Sequence, residues 1–295
     1  MRRDVTFQTL DQVALAGWLY LPENRETSVP GIVLSHGFGA VKEMALDTYA
    51  QAFCDAGFAC LVYDHRNTGA SGGTVRGELN PWEQIADTRD AITYLAGRPE
   101  VDPDRIGLWG TSYAGGHAIV VAAIDRRVRC VVALVPTISG YENTVRSLPT
   151  DSSIPANDID EFVALMAEER RLRTQGASPR YIPISTEGSE SFNWSKVAGK
   201  GTSYVNAVTM LSRDLRMGYE PGDYLPRVSP TPLLMVIAKE DTKCMSDIQL
   251  AAYSLAHEPK RLVIIPGGHY DPYTIEINRS SSAARDWFLE HLAEA

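Results

Sequence analysis

The sequence predicts an α/β fold: a mostly parallel sheet flanked by helices, with a helical insertion past its middle. Three observations carry this. Short, nearly continuous apolar runs alternate with helical stretches, the pattern of strands buried on both faces and joined by crossover helices. One such run leads straight into Gly110-Thr111-Ser112-Tyr113-Ala114-Gly115-Gly116 and then a helix. The alternation stops after Val135 and resumes only at Leu233.

Taken in order, Val13–Tyr20 reads as a partly alternating strand that Val5–Gln8 can pair with. Gly31–Ser35 is a buried strand, and Met44–Ala56 a helix stopped by Gly57. Phe58–Tyr63 is the next buried strand. Asn80, Pro81 and Glu83 supply a cap, a first-turn proline and a capping box for a helix running to about Ala96. Ile106–Trp109 is a strand, followed by a helix to Ala123 and a strand at Val128–Val135. From about Ser139 to Arg227 no strong strand is seen, and helices are expected at Asp158–Arg173 and Tyr204–Met217. Strands return at Leu233–Ala238 and Leu262–Ile265, and Ser281–Ala293 closes the chain as a helix. This divides the chain into a core at 1–138 and 228–295 and a lid, or cap, at 139–227.

The 295 residues, 44% hydrophobic and 22% charged, can bury one large core. A net charge of −9 repels phosphate backbones and anionic surfaces, so neither nucleic acid nor membrane is expected as a partner. Asp4, Gln8, Asp11 and Gln12 break the apolar stretch that a secretory signal needs, and no run reaches the ~18 apolar residues of a spanning helix. A cytoplasmic protein is expected. The four cysteines are scattered without metal-ligand spacing, so free thiols are expected and no metal.

The chemistry starts at Ser112. A serine on a sharp strand-to-helix turn stands at the carboxyl edge of the sheet, and its neighbours two residues either side must be small; Gly110 and Ala114 meet this. A phosphate-binding turn is the alternative, but no lysine stands nearby. Serine needs a base, and the base an orienting acid. Of six histidines, His269 alone follows a late buried strand in a glycine-rich loop (IIPGGHYDPY), and Asp241 sits just past the strand LLMVIA. Both fall where open α/β sheets assemble their sites. Glu240 is the rival acid. The loop Ser35-His36-Gly37-Phe38-Gly39 can turn an amide toward a developing oxyanion, so Phe38 and Tyr113 are the expected donors, with His36 holding the loop. No cofactor is needed.

Together these residues resemble the α/β-hydrolase superfamily over nearly the whole chain outside the insertion. SHGFGAVKE, YDHRNTGASGG, ELNPWEQIADTRDAITYL, VDPDRIGLWGTSYAGG and PGGHYDPY are similar to a dienelactone-hydrolase-like branch that holds the fungal polyketide transferases and thiohydrolases, with S15 peptidases as distant relatives. The resemblance implies an α/β-hydrolase fold and acyl transfer or hydrolysis in secondary metabolism. It implies a small-molecule acyl substrate, a carrier-bound thioester among its forms, and leaves room for a homodimer. The expected function is a serine esterase or thioesterase, with an acyltransferase using the same triad as the alternative. A peptidase is a weaker reading, because the extra β-domain of the S15 peptidases has no counterpart. A non-catalytic receptor would carry a damaged triad, and an aspartate would be needed at the elbow of a dehalogenase. Asp64 and Arg66 are expected to be structural.

The insertion follows a strand's carboxyl end, so it emerges on the site's side of the sheet. Phe162, Leu165, Met166, Phe192, Trp194, Tyr204, Met210 and Tyr219 give it much apolar surface. An apolar, mostly enclosed cavity is expected, with Phe192, Trp194, Tyr204 and Met210 as candidate pocket residues.

Overall fold

The computed structural model describes residues 1–23 and 28–293. The chain opens with β1 (Arg2–Gln8) and β2 (Ala14–Tyr20), antiparallel with Phe7 opposite Leu15. Then come β3 (Val29–Ser35), α1 (Leu46–Asp55), β4 (Ala59–Tyr63), α2 (Pro81–Ala96), β5 (Val101–Thr111), α3 (Tyr113–Ile124) and β6 (Val128–Leu134). The insertion holds α4 (Gly140–Ser147), α5 (Ile159–Thr174), β7 (Tyr181–Ile182), α6 (Glu190–Ala198), β8 (Val208–Thr209) and α7 (Met210–Met217). The chain ends with β9 (Leu233–Ala238), α8 (Ser246–Tyr253), β10 (Lys260–Ile265) and α9 (Ile277–Leu292).

Eight strands form one sheet in the order β1-β2-β4-β3-β5-β6-β9-β10. β1, β2 and β4 pair antiparallel, and every pair from β4 to β10 is parallel. The apolar runs in the sequence come from burial on both faces. Val33, Leu61, Leu108, Val131 and Leu233 lie in register on one face, where Ile85, Ile92 and Leu95 of α2 and Ile119 of α3 cover them. Ile32, Leu34, Val62, Trp109, Val132 and Leu234 alternate with them and pack under Tyr49 and Phe53 of α1 and Trp287 and Phe288 of α9. Each such side chain removed from water contributes roughly 1.5–3 kcal/mol.

Local chemistry sets the helix starts. Asn80 accepts from the Trp82 amide at 3.0 Å, while the reciprocal Glu83 bond of a full capping box is not among the described contacts. Asp158 caps α5 through the Glu161 amide at 2.9 Å. The expected helix at 204–217 is shorter: it begins at Met210, because Val208 and Thr209 pair with Tyr181 and Ile182 as a small ribbon. Helices α4, α6 and α8 were not among the elements expected from the sequence.

The insertion has a core of its own, built from Leu148, Ile154, Phe162, Met166, Val208 and Met210 together with Leu79. Its two crossing points are tied at the base. The Gly140 amide donates to the Tyr219 carbonyl at 2.7 Å, and the Gly222 amide to the Ile138 carbonyl at 2.9 Å. Tyr219 and Leu225 pack into the sheet's own core, so the last stretch before β9 belongs to the sheet's packing.

Candidate active site

The turn between β5 and α3 places Ser112 at φ 55°, ψ −116°, a conformation costly for a residue with a side chain. Two features hold it there. The Ser112 amide donates to the Leu134 carbonyl at 2.8 Å. At Gly110 a Cβ would stand 2.0 Å from the Ala114 carbonyl oxygen, so only glycine lets the chain close into this turn.

His269 lies in the loop after β10 and is 3% exposed; Asp241, after β9, is 4% exposed. His269 Nε2 is 3.1 Å from Ser112 Oγ, and its Nδ1 is 2.9 Å from Asp241 Oδ2. Three strand ends far apart in sequence are thus brought into one relay. Asp241 is held tightly as an ionised acceptor. Its Oδ1 accepts from the Lys243 and Cys244 amides at 2.7 and 2.9 Å, and Gln249 Nε2 donates to Oδ2 at 2.9 Å. Burial pushes its carboxyl up, but His269 and these donors together hold it below the ordinary range. Glu240 is exposed and takes no part in the relay. It accepts the Gly267 amide at 2.6 Å and so braces the loop carrying His269.

Phe38 and Tyr113 are neighbours, with rings 5.3 Å apart edge to face. Among the described residues neither amide has a backbone acceptor, as follows for Tyr113 from its place as first residue of α3. Gly37 brings the loop against the nucleophile; a Cβ there would stand 3.0 Å from Ser112 Cβ. His36 ties this loop down. Its Nε2 accepts the His65 amide at 3.1 Å, which leaves Nδ1 as the donor to the Gly37 carbonyl at 3.0 Å. His117, on α3, is buried and bonds Tyr219 and Gln84 through its two nitrogens. Asp64 takes Lys42 Nζ at 2.7 Å and the Lys42 and Ala70 amides, and Arg66 forks onto Asp87 and Asp11.

Cys244 was not singled out by the sequence. Its thiol lies 3.7 Å from Ser112 Oγ and 3.4 Å from Thr137 Oγ1. Burial and the nearby Asp241 push it up to about 12, so it is a neutral thiol beside the nucleophile. Asp241, Cys244 and His269 are the one group among the described residues that could hold a metal, with ligand atoms within 4.8 Å of one another. A cation there would compete with the His269–Asp241 hydrogen bond. All four cysteines are free and buried.

A cavity of about 430 Å³ opens onto Ser112, within the usual range for small-molecule sites. Of the four expected pocket residues, only Trp194 lines it. It stacks on Tyr270, next to His269, at 4.8 Å. Met210 is spent in the insertion's core, and Tyr204 packs beside Ala40, Val41 and Met44 and bonds Asn206. Phe192 is half-buried on α6, away from the cavity. The lining is not simply apolar. Phe38, Met44, Leu46, Ile184 and Trp194 share it with Arg213 and Arg216 of α7, and hydroxyl groups fill much of the rest. Helical periodicity shows which α7 residues share a face but not which wall that face meets, so the arginines gave no sequence signal.

No helix among the described residues is long and apolar enough to cross a membrane. Residues 11–271 match the family described as X-Pro dipeptidyl-peptidase (S15 family). Thiohydrolase aneE of Aspergillus aculeatus is 34% identical over 272 residues, 88% of this chain and 83% of that protein. Acyltransferase drtE of Aspergillus calidoustus is 32% identical over 273 residues, 88% of this chain and 84% of that one. Among solved structures, the α/β-hydrolase GrgF from Penicillium sp. sh18 superposes with a TM-score of 0.85 at 28% identity, covering 100% of both chains.

Proposed function

The chain belongs to the S15 family within the α/β-hydrolases, and on that premise we propose that it cleaves an ester or thioester of a small acyl substrate through Ser112, His269 and Asp241. That it is a hydrolase or acyltransferase follows from relatives named for these activities. The observation that carries the reading is the unbroken relay Ser112 Oγ–His269 Nε2, His269 Nδ1–Asp241.

In this mechanism Ser112 Oγ attacks the acyl carbon as its proton passes to His269 Nε2. The carbonyl electron pair moves onto oxygen, which the Phe38 and Tyr113 amides hold. Collapse expels the thiolate or alkoxide, which takes the proton from His269. Water, deprotonated by the same imidazole, attacks the acyl-enzyme; the acid leaves and Ser112 regains its proton. Asp241 keeps Nδ1 protonated throughout and stabilises the imidazolium. Residues 139–218 act as a lid whose α6 and α7 close the acyl cavity, the expected 219–227 belonging instead to the sheet's packing, and a polyketide-derived acyl group delivered as a carrier-bound thioester suits the cavity's size and the relatives' names.

Acyl transfer to an alcohol is the second reading, favoured by relatives named transferases. A peptidase is disfavoured by the cavity's acids. Asp241 serves His269, Asp247 pairs with Arg146, and Asp151 faces the Arg213 guanidinium at 3.9 Å, so each carboxylate already has a cationic or hydrogen-bonding partner in place of a substrate ammonium.

The test is a chain-length series of p-nitrophenyl esters and acyl thioesters, run with and without an added alcohol, on wild type, Ser112→Ala and His269→Ala. Both variants should lose at least about 10³-fold in kcat, and a fluorophosphonate should label Ser112. Wild-type turnover by either variant, or no label on Ser112, would reject the reading. Ester product in place of free acid would select transfer.

A further inference from the structure

Resting on the acyl-enzyme reading above, we propose that Arg213 and Arg216 form an anion subsite within the acyl cavity, and that the favoured acyl group carries a carboxylate a few bonds from the carbonyl under attack.

The two arginines stand one turn apart on α7 and face the same way. Their guanidinium carbons lie 5.1 and 5.5 Å from the centre of the Phe38 ring, and both residues line the cavity. Arg213 is 4% exposed. It spends Nη2 on Ser153 Oγ at 3.1 Å and the Ile184 carbonyl at 3.0 Å. Its Nη1 stands 3.9 Å from Asp151, beyond hydrogen-bond reach, and its Nε has no partner. Arg216 is half-buried; among the described residues its side chain makes no hydrogen bond or ion pair, and its Nε is buried without a partner.

Two cations around one ring in a half-enclosed wall are costly, because each loses hydration and repels the other. Burial, and then Arg216, pull Arg213 down to about 10, which still leaves it charged at neutral pH. The remaining cavity charges do not offset this. Arg146 and Asp247 neutralise each other, Asp241 answers to His269, and Lys243 adds a further exposed cation. Only Asp151 opposes the pair: its Oδ1 accepts from the Ser153 amide and hydroxyl, and its Oδ2, 3.9 Å from Arg213 Nη1, is one negative charge against two guanidiniums. In a chain of net charge −9, this is an excess of positive charge directed at the reaction chamber.

A guanidinium fork with free N–H groups fits a carboxylate. Position selects the acyl side of the substrate over the leaving group. Phe38, beneath both guanidiniums, supplies one proposed oxyanion donor and touches Tyr113, which supplies the other. The anion site is therefore one aromatic ring away from the acyl carbon. The phosphate of a pantetheine leaving group lies at the far end of that arm.

The experiment compares glutaryl, adipyl and suberyl N-acetylcysteamine thioesters with the same compounds methylated at the distal carboxyl. Wild type should prefer the free acid in at least one pair by about 10- to 100-fold in kcat/KM, the usual worth of a charge-assisted hydrogen bond. Arg216→Met should collapse that ratio toward one, and Arg216→Lys should restore part of it. Arg213→Lys serves as a second variant that keeps the buried charge. Acid and methyl ester turned over equally, with Ser112 still labelled by fluorophosphonate, would overturn the inference and leave the triad reading standing. No turnover of any thioester and no label would reject both. An acyl-matched comparison of pantetheine with 4′-phosphopantetheine thioesters locates the anion. A preference that follows the phosphate and vanishes in Arg216→Met would overturn placement on the acyl group.

Discussion

Replacing Asp241 by asparagine tests the relay most sharply, because the structure dictates how the amide must sit. If the new NH₂ took the place of Oδ1, it would face the Lys243 and Cys244 amides, two backbone donors that cannot turn away. Leaving them unpaired costs roughly 1–3 kcal/mol each. The carboxamide oxygen therefore stays on those amides, and the NH₂ points at His269 Nδ1 and Gln249. Gln249 adapts easily: its Oε1 is buried without a partner, so a flip lets it accept. His269 adapts only by changing tautomer. Nδ1 must accept, the proton moves to Nε2, and Nε2 now donates toward Ser112 Oγ at 3.1 Å when it should be removing a proton. Asp241→Asn should fold with nearly unchanged melting behaviour yet lose about 10³–10⁴-fold in kcat, on the order of 4–5.5 kcal/mol of barrier. The assay is kcat on a p-nitrophenyl ester beside a thermal melt. Glu240→Gln is the control, because its carboxamide oxygen can still accept the exposed Gly267 amide. Activity of Asp241→Asn within tenfold of wild type, or a dead Glu240→Gln, would refute the reasoning.

Two further perturbations probe the scaffold. Burial holds His36, His65 and His117 below the ordinary imidazole value, His117 down to about 3. The unfolded chain therefore binds more protons as pH falls, so stability is full above about pH 6.5 and declines below it. Each fully suppressed histidine costs about 2 kcal/mol at pH 5. His65 and His117, held furthest down, should together lower Tm by on the order of 5 °C between pH 7.5 and 5, with His36 acting in the same direction, and a flat melting profile over that range would contradict it. At the elbow, Gly110→Ala puts a methyl 2.0 Å from the Ala114 carbonyl oxygen. It should give insoluble protein or at least about 100-fold weaker turnover, and a soluble variant with wild-type kcat would show that the turn opens freely.

How far the sequence reached depended on whether a property was local. Runs such as GIVLS and LLMVIA determined the buried parallel strands, because a strand covered on both faces has no polar side to display. The elbow was equally legible: the turn leaves room only for glycine at 110 and buries Ala114 completely, and so writes its geometry into the composition. The positions of Ser112, Asp241 and His269 followed from strand ends, which chain order already marks. Tertiary structure decided the rest. Asp241 and Glu240 are adjacent in sequence, and only the path of the loop after β9 turns one inward to His269 and the other outward to Gly267. The insertion's aromatic and aliphatic side chains looked like pocket walls, yet Phe162, Met166 and Met210 fill its own core. Apolar character records that a side chain leaves water, not which neighbour receives it. For the same reason Arg213 and Arg216, ordinary surface residues by composition, became the charged wall of the cavity only when α7 docked against Phe38.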